Sequence, residues 1–319
     1  MRMSEDLFAP VSVTKVGLPY EPPDVQTLRV MSWNIERGYS VEALVEEIKA
    51  VNPEILLLQE VDKGNKRTSE KDIADEIATA LGMQYILYGI EFIEIESARR
   101  SKLLQGGGSH GNAIISRFPI DHPKVFELPQ AYNWENSLRQ PRRGRRMGIA
   151  GVVHTQLGQL VCVSVHLENQ CSPIQRREQF EYLTTEILST QEYRGLPIII
   201  GGDMNTICTG LARFYSLDIL SLYDIWERIR TIGTTEAEMW EQEMKGLVGP
   251  TGVFADPFHS VNDYTIEQVF GMFRAKIDWI LHNQFLRVTN KKIGGNMKGS
   301  LGSRLSDHLW LTVEYSLAQ

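Results

Sequence analysis

The chain is poor in cysteine, in long apolar runs and in surplus positive charge, and each shortage excludes something. Its cysteines, Cys162, Cys171 and Cys208, are odd in number and show no Cys-x-x-Cys or zinc-ligand spacing. A disulfide framework is therefore not expected, and a reducing compartment is. No apolar stretch approaches ~18 residues, and the first residues carry Glu5, Asp6 and several prolines where a leader would place a basic run and then an apolar one. The expectation is a cytoplasmic chain without a spanning helix. Thirty-three Lys and Arg stand against 40 Asp and Glu, a net charge of −7. The surface as a whole does not attract polyanions, so any anion binding has to be local. No fixed-period repeat or Ser/Gly linker divides the 319 residues. The expected organisation is an extended, proline-bearing N-terminal arm over 1–27 and a single domain over 28–319.

What the sequence does have is an alternation of short apolar runs with helical periodicity, the pattern of packed β and α layers. Strands are predicted at 28–33, 55–58, 112–116, 148–154, 160–166, 197–201, 275–281 and 309–315, rich in Ile and Val. Helices fit 41–51, 72–81 and 176–190. In the first of these Val41, Leu44, Val45 and Ile48 share one face, and Glu42, Glu46, Glu47 and Lys49 the other.

Polar groups recur at the ends of these strands, where α/β folds collect their sites. Asn34 follows Val30-Met31-Ser32-Trp33, and Gln59-Glu60 follow Ile55-Leu56-Leu57-Leu58. His166 closes its strand, Asp203 and Asn205 follow Ile198-Ile199-Ile200-Gly201-Gly202, Asp278 sits within Lys276-Ile277-Asp278-Trp279, and Ser306-Asp307-His308 precedes the last strand. One at a time, such residues are usually turns, helix caps or satisfied core histidines. Jointly they suggest one shared pocket. Carboxylates and amides without paired thiols favour a hard cation held by oxygen, so Mg²⁺, with Mn²⁺ as a substitute, is expected before zinc. A hard cation, two histidines and an Asp that orients water suit hydrolysis of a phosphate ester by in-line attack of water.

These motifs resemble the endonuclease/exonuclease/phosphatase superfamily. The resemblance rests on Ser32-Trp33-Asn34-Ile35, Leu58-Gln59-Glu60-Val61, the segment from His110-Gly111-Asn112 to Ser116-Arg117, Gly202-Asp203-Met204-Asn205, Lys276-Ile277-Asp278-Trp279 and Ser306-Asp307-His308, in the family's order. It implies a deoxyribonuclease I-like four-layer α/β sandwich, two mixed β-sheets face to face with helices outside, and a site at one end. Carried over by position, it implies Glu60 as principal metal ligand with Asn34 and Asp307. Asp203 would orient or deprotonate the water, and Asn205 would hold that water or a phosphoryl oxygen. His308 would stabilise the phosphoryl charge, fixed by Asp278 at its other ring nitrogen, and His166 would be a second donor.

Val163-Ser164-Val165-His166-Leu167-Glu168, followed by Arg176 and Gln179, resembles the His-bearing phosphodiesterase branches rather than the abasic-site endonucleases. Asn205-Thr206-Ile207 and Ile277-Asp278-Trp279 depart from the inositol-polyphosphate phosphatase pattern. The expectation is a Mg²⁺-dependent phosphodiester hydrolase acting on a nucleic acid, a lipid or a small molecule, with a phosphomonoesterase or a silent scaffold of the same fold as alternatives. Arg139, Arg142, Arg143, Arg145 and Arg146 form a dense positive run that could contact nucleic acid or be a solvated loop. The region 222–270, with Trp226, Trp240, Phe254, Phe258 and Tyr264, could be an aromatic insertion over the pocket or core.

Overall fold

Strands buried on both faces should read as continuous apolar runs, and the best-predicted strands here do so because they lie in a four-layer stack. The computed structural model describes residues 13–16, 26–206, 248, 252–258, 263–268, 273–295 and 305–318. Along the chain come β1 (Val13–Lys15), β2 (Leu28–Arg37), α1 (Val41–Val51), β3 (Ile55–Lys63), α2 (Ile73–Leu81), β4 (Tyr85–Glu94), β5 (Ser109–Ser116), β6 (Ile120–Glu127) and β7 (Arg142–Gly144). There follow β8 (Met147–Thr155), β9 (Gly158–His166), α3 (Pro173–Ser189), β10 (Ile198–Asp203), β11 (Ile266–Gln268), β12 (Phe273–Ala275), β13 (Asp278–His282), β14 (Leu286–Gly294) and β15 (Trp310–Leu317).

Among the described residues, one sheet runs β1-β4-β5-β3-β2-β15-β14, with β7 also on β4, and the second runs β13-β10-β9-β8-β6. Both are mixed: β2 and β3 are parallel, as are β9 and β10, and the other pairs are antiparallel. Alternation along each strand sorts side chains between layers. Leu28, Val30, Ile55 and Leu57 face inward and meet Ile149, Cys162, Ile199 and Ile280 of the second sheet. Their neighbours Met31, Trp33, Leu56 and Leu58 face outward, under Leu44 and Ile48 of α1 and Ile73 and Ile77 of α2. On the opposite outer face Val161, Val163, Val165 and Ile200 are covered by Phe180, Leu183 and Ile187 of α3. The expected four-layer α/β sandwich is what forms.

Several boundaries differ from the sequence reading. The strand expected at 197–201 continues through Gly202 to Asp203, because both glycines sit where side chains would not fit. The single strand expected at 275–281 is broken: Lys276 turns its ammonium to Asp256 and the Phe258 carbonyl, and Thr265 Oγ1 accepts from the amides of Ile277 and Asp278 at 3.0 and 3.1 Å. β4, β6 and β14 were not expected. Of the aromatics in 222–270, Phe254 and Phe258 are core residues, Tyr264 is half-buried, and Trp226 and Trp240 lie outside the described residues, as does Cys208. Cys162 is buried, and the Cys171 thiol donates to the Glu168 carbonyl at 3.2 Å. No described helix is long and apolar enough to cross a membrane.

Candidate active site

Strand register brings the polar strand ends together. Asp203, last residue of β10, stands beside His166, last of β9, and opposite Asp278, first of β13. From the facing sheet Asn34 reaches across, its Nδ2 donating to Asp203 Oδ2 at 3.0 Å. His166 Nε2 lies 3.3 Å from the same oxygen and His308 Nε2 3.8 Å from it. His308 Nδ1 is 2.8 Å from Asp278 Oδ2. The loop bearing His308 is tied to β2: Trp33 Nε1 donates to the His308 carbonyl at 2.9 Å and Ser306 Oγ to the Asn34 carbonyl at 2.6 Å. Asn205, with φ 50°, turns its amide N–H to Asp203 Oδ1 at 2.9 Å and its Nδ2 to the Leu167 carbonyl at 2.9 Å.

Glu60 enters by a different device. Register slips make Gln59 and Glu60 face Asn112 alone, and make Ile35 and Glu36 face Glu60 alone. These are paired β-bulges that re-aim the strand ends. Glu60 accordingly has φ 55°, a left-handed conformation that costs a non-glycine residue about 1–3 kcal/mol. Its carboxylate is 3.7 Å from Arg37. Asp307 is the most exposed member, its side chain 38% accessible and its carboxylate 3.8 Å from His308 Nε2.

The electrostatics keep Glu60 and Asp203 charged, whereas burial outweighs His308 at Asp278 and pushes that carboxyl up to about 6. Burial pushes the Glu60 carboxyl up, but Arg37, His110, His166 and Arg146 outweigh it and hold the group well below the usual carboxylate range. Burial also opposes ionisation of Asp203, yet His308, His166 and the Asn205 amide bring it down to about 2. For the His308 imidazole burial acts downward and is overcome by Asp278, Asp307 and Asp203, so the ring is held well above the ordinary histidine range. The donors at this end are carboxylate, amide and imidazole, with an anionic Glu60 among them, which fits a hard cation held by oxygen. Ligand atoms of Asp203, Asp278 and His308 also lie within 4.8 Å of one another.

The expected arginine patch is divided. Arg142 and Arg146 are 3% and 4% exposed and pair inward, with Glu94 at 3.1 Å and Glu91 at 3.2 Å. Arg143 and Arg145 stay at the surface opposite Glu135 and Glu127, and Arg139 is exposed. The physical reason is that β4 carries two buried glutamates, Glu91 and Glu94, that need cations. Glu91 belongs to the site's wall, 3.7 Å from His166 Nδ1, and was missed with its strand, whose apolar run it interrupts. Arg37 and the His110–Asp62 pair, Nδ1 to Oδ1 at 2.9 Å, were missed as neighbours of Glu60.

The sequence profile of the Endonuclease/Exonuclease/phosphatase family matches residues 31–308. Among solved structures the chain is similar to an endonuclease/exonuclease/phosphatase from Beutenbergia cavernae DSM 12333, at 21% identity and a TM-score of 0.61, covering 92% of this chain and 72% of that one. It is similar to the human Nocturnin catalytic domain with bound sulfate anion, at 17% identity and TM-score 0.57, covering 97% of each chain. It is also similar to D. rerio TDP2 complexed with a single-strand DNA product, at 14% identity and TM-score 0.54, covering 92% of this chain and 100% of that one. At these identities the likeness is one of fold. No curated protein matches the chain.

Proposed function

The chain belongs to the endonuclease/exonuclease/phosphatase family, and from that premise we propose that it is a Mg²⁺-dependent hydrolase of phosphodiesters. One observation carries the reading: a buried carboxylate, Asp203, kept anionic between two imidazoles and the Asn34 amide at the mouth of two facing sheets. An anion so placed orients a water and takes its proton, while the flanking N–H groups meet the charge that grows on a phosphoryl group. Glu60, with Asn34 and Asp307, would hold the cation. When bound, the cation neutralises charge on the phosphoryl oxygens.

Within this reading His308, kept protonated against Asp278, donates to the phosphoryl oxygen, and His166 is a second donor. Asn205 fixes Asp203 through its backbone amide and leaves the rest of its side-chain amide for the water or the substrate. The sulfate in Nocturnin and the single-strand DNA product in TDP2 support an oxyanion or nucleic-acid substrate class. Of the five arginines in this run, Arg139, Arg143 and Arg145 are the ones open to a nucleic-acid backbone, since Arg142 and Arg146 are interior.

The test is hydrolysis of bis(p-nitrophenyl) phosphate beside p-nitrophenyl phosphate, with Mg²⁺, Mn²⁺ or excess EDTA. The diester should be cleaved in a metal-dependent way, and Glu60→Gln should abolish turnover while the unfolding free energy stays within about 1 kcal/mol of wild type, glutamine keeping the size of a side chain that is 20% exposed. Turnover undiminished in EDTA removes the cation. Preference for the monoester makes the chain a phosphomonoesterase of the same fold.

A further inference from the structure

The geometry points to Arg146 as the residue that sets the tautomer of His166, making Nδ1 the lone-pair nitrogen and placing the ring proton on Nε2, toward Asp203 and the substrate. The inference deepens the proposed hydrolysis and rests on it for its consequence, but not for the tautomer itself.

Arg146 Nη1 lies 2.7 Å from His166 Nδ1, and both residues are buried. A guanidinium has five donors and no acceptor, so a contact of that length requires Nδ1 to accept. The carboxylate that could instead take a proton from Nδ1 is Glu91, whose Oε2 is 3.7 Å away, too far for a hydrogen bond. That oxygen is already engaged by Arg146 at 3.2 Å, while Glu91 Oε1 accepts from Asn112 Nδ2 at 3.3 Å and the Met147 amide at 3.4 Å. The arginine is itself hemmed in, with Phe92 5.3 Å from the guanidinium carbon and Glu168 3.8 Å from Nε. The neutral ring then has one place for its proton, Nε2, 3.3 Å from Asp203 Oδ2.

The two imidazoles that face Asp203 are therefore set by groups of opposite charge. Asp278 accepts from His308 Nδ1, whereas Arg146 donates to His166 Nδ1. His166 in this tautomer donates through Nε2 and cannot take a proton there, so it serves as a neutral donor to the phosphoryl group and leaves proton removal to Asp203. Arg146 is a positioning residue. It acts on the reaction through the ring it orients.

The full-length protein labelled with ¹⁵N-histidine decides this by long-range ¹H–¹⁵N spectra, the His166 signals being those lost in His166→Gln. In wild type at neutral pH, Nδ1 should resonate as an unprotonated nitrogen and Nε2 as a protonated one. In Arg146→Met the pattern should reverse as Nδ1–H turns to Glu91, and Arg146→Lys, which keeps a donor, should retain the wild-type pattern. Diester kcat should fall about 10²-fold in Arg146→Met, with KM little moved, and recover in part in Arg146→Lys. A proton on Nδ1 in wild type overturns the assignment whether or not any variant folds, and so does an unchanged pattern in Arg146→Met. An inactive wild type with the expected tautomer removes the functional reading and upholds the assignment. An active one with Nδ1–H does the reverse.

Discussion

At the scale of single residues, the site is built from groups whose charge states are set by what they touch. His308 has one ring nitrogen committed to Asp278 at 2.8 Å and the other aimed at Asp203 and Asp307. Removing the ring removes a donor aimed at the substrate, whereas Asp278→Asn leaves the ring present and only frees its orientation. His308→Ala should therefore lower kcat about 10² to 10³-fold, with Asp278→Asn lowering it less and KM for the diester moving little in either. Steady-state kinetics on variants with wild-type circular dichroism check this, and wild-type kcat in His308→Ala would refute the role. The acids and histidines of this constellation were readable in the sequence because each ends or begins an apolar run. Arg146 was readable only as one of five nearby arginines. Nothing in its own segment shows that Glu91, 55 positions earlier, stands across from it.

At the scale of elements, the approach of β10 to its neighbours decides the site. A Cβ on Gly202 would lie 1.9 Å from the Val165 carbonyl in β9, and one on Gly201 2.7 Å from Leu57 and 2.9 Å from Ser32 in the opposite sheet. One glycine lets two strands close up and the other lets two sheets do so, one and two residues before Asp203. Gly202→Ala must push β9 from β10 beside the His166–Asp203 pair, so it should cost about 1–3 kcal/mol in urea unfolding and lower kcat as well. Unchanged stability and turnover would show that the backbone spacing there is not tight. The same pair explains a boundary that sequence reading put too early, since Gly-Gly signals a turn locally and here serves close packing. Strands with apolar side chains on both faces, such as residues 55–58 of β3 and 160–163 of β9, were legible. β4 was not, because Gly89, Glu91 and Glu94 interrupt its apolar character. β14 was not, because it is a largely exposed edge carrying Asn290, Lys291 and Lys292, held by pairing with β15 rather than by composition.

At the scale of the whole molecule, the net charge of −7 conceals where positive charge is spent: several arginines point into the fold. Glu94, buried in β4, receives Arg100 at 2.6 Å, Arg67 at 3.0 Å and Arg142 at 3.1 Å, and Arg67 also grips Asp62 at 2.6 Å. This cluster ties β4, β7 and the loops after β3 and β4 to the end of β3, two residues beyond the Glu60 bulge. Burial pushes the Glu94 carboxyl up, but Arg142, Arg67, His110 and Arg100 prevail and hold it far below the usual carboxylate range. The unfolded chain protonates Glu94 near ~4.3 and the folded chain much lower, so its stabilising contribution is complete above the unfolded value. It is lost as pH falls through the window down to the folded value. Glu94→Gln takes from Arg100 and Arg142 the carboxylate they face and leaves Arg67 with Asp62 alone, and should cost about 3–5 kcal/mol at pH 7. The gap between wild type and variant should narrow at pH 3, where the unfolded wild-type chain binds the proton that the folded one refuses. Urea unfolding of both chains at the two pH values measures it, and a gap that stayed constant or widened would show that Glu94 is not the anion around which these arginines are arranged.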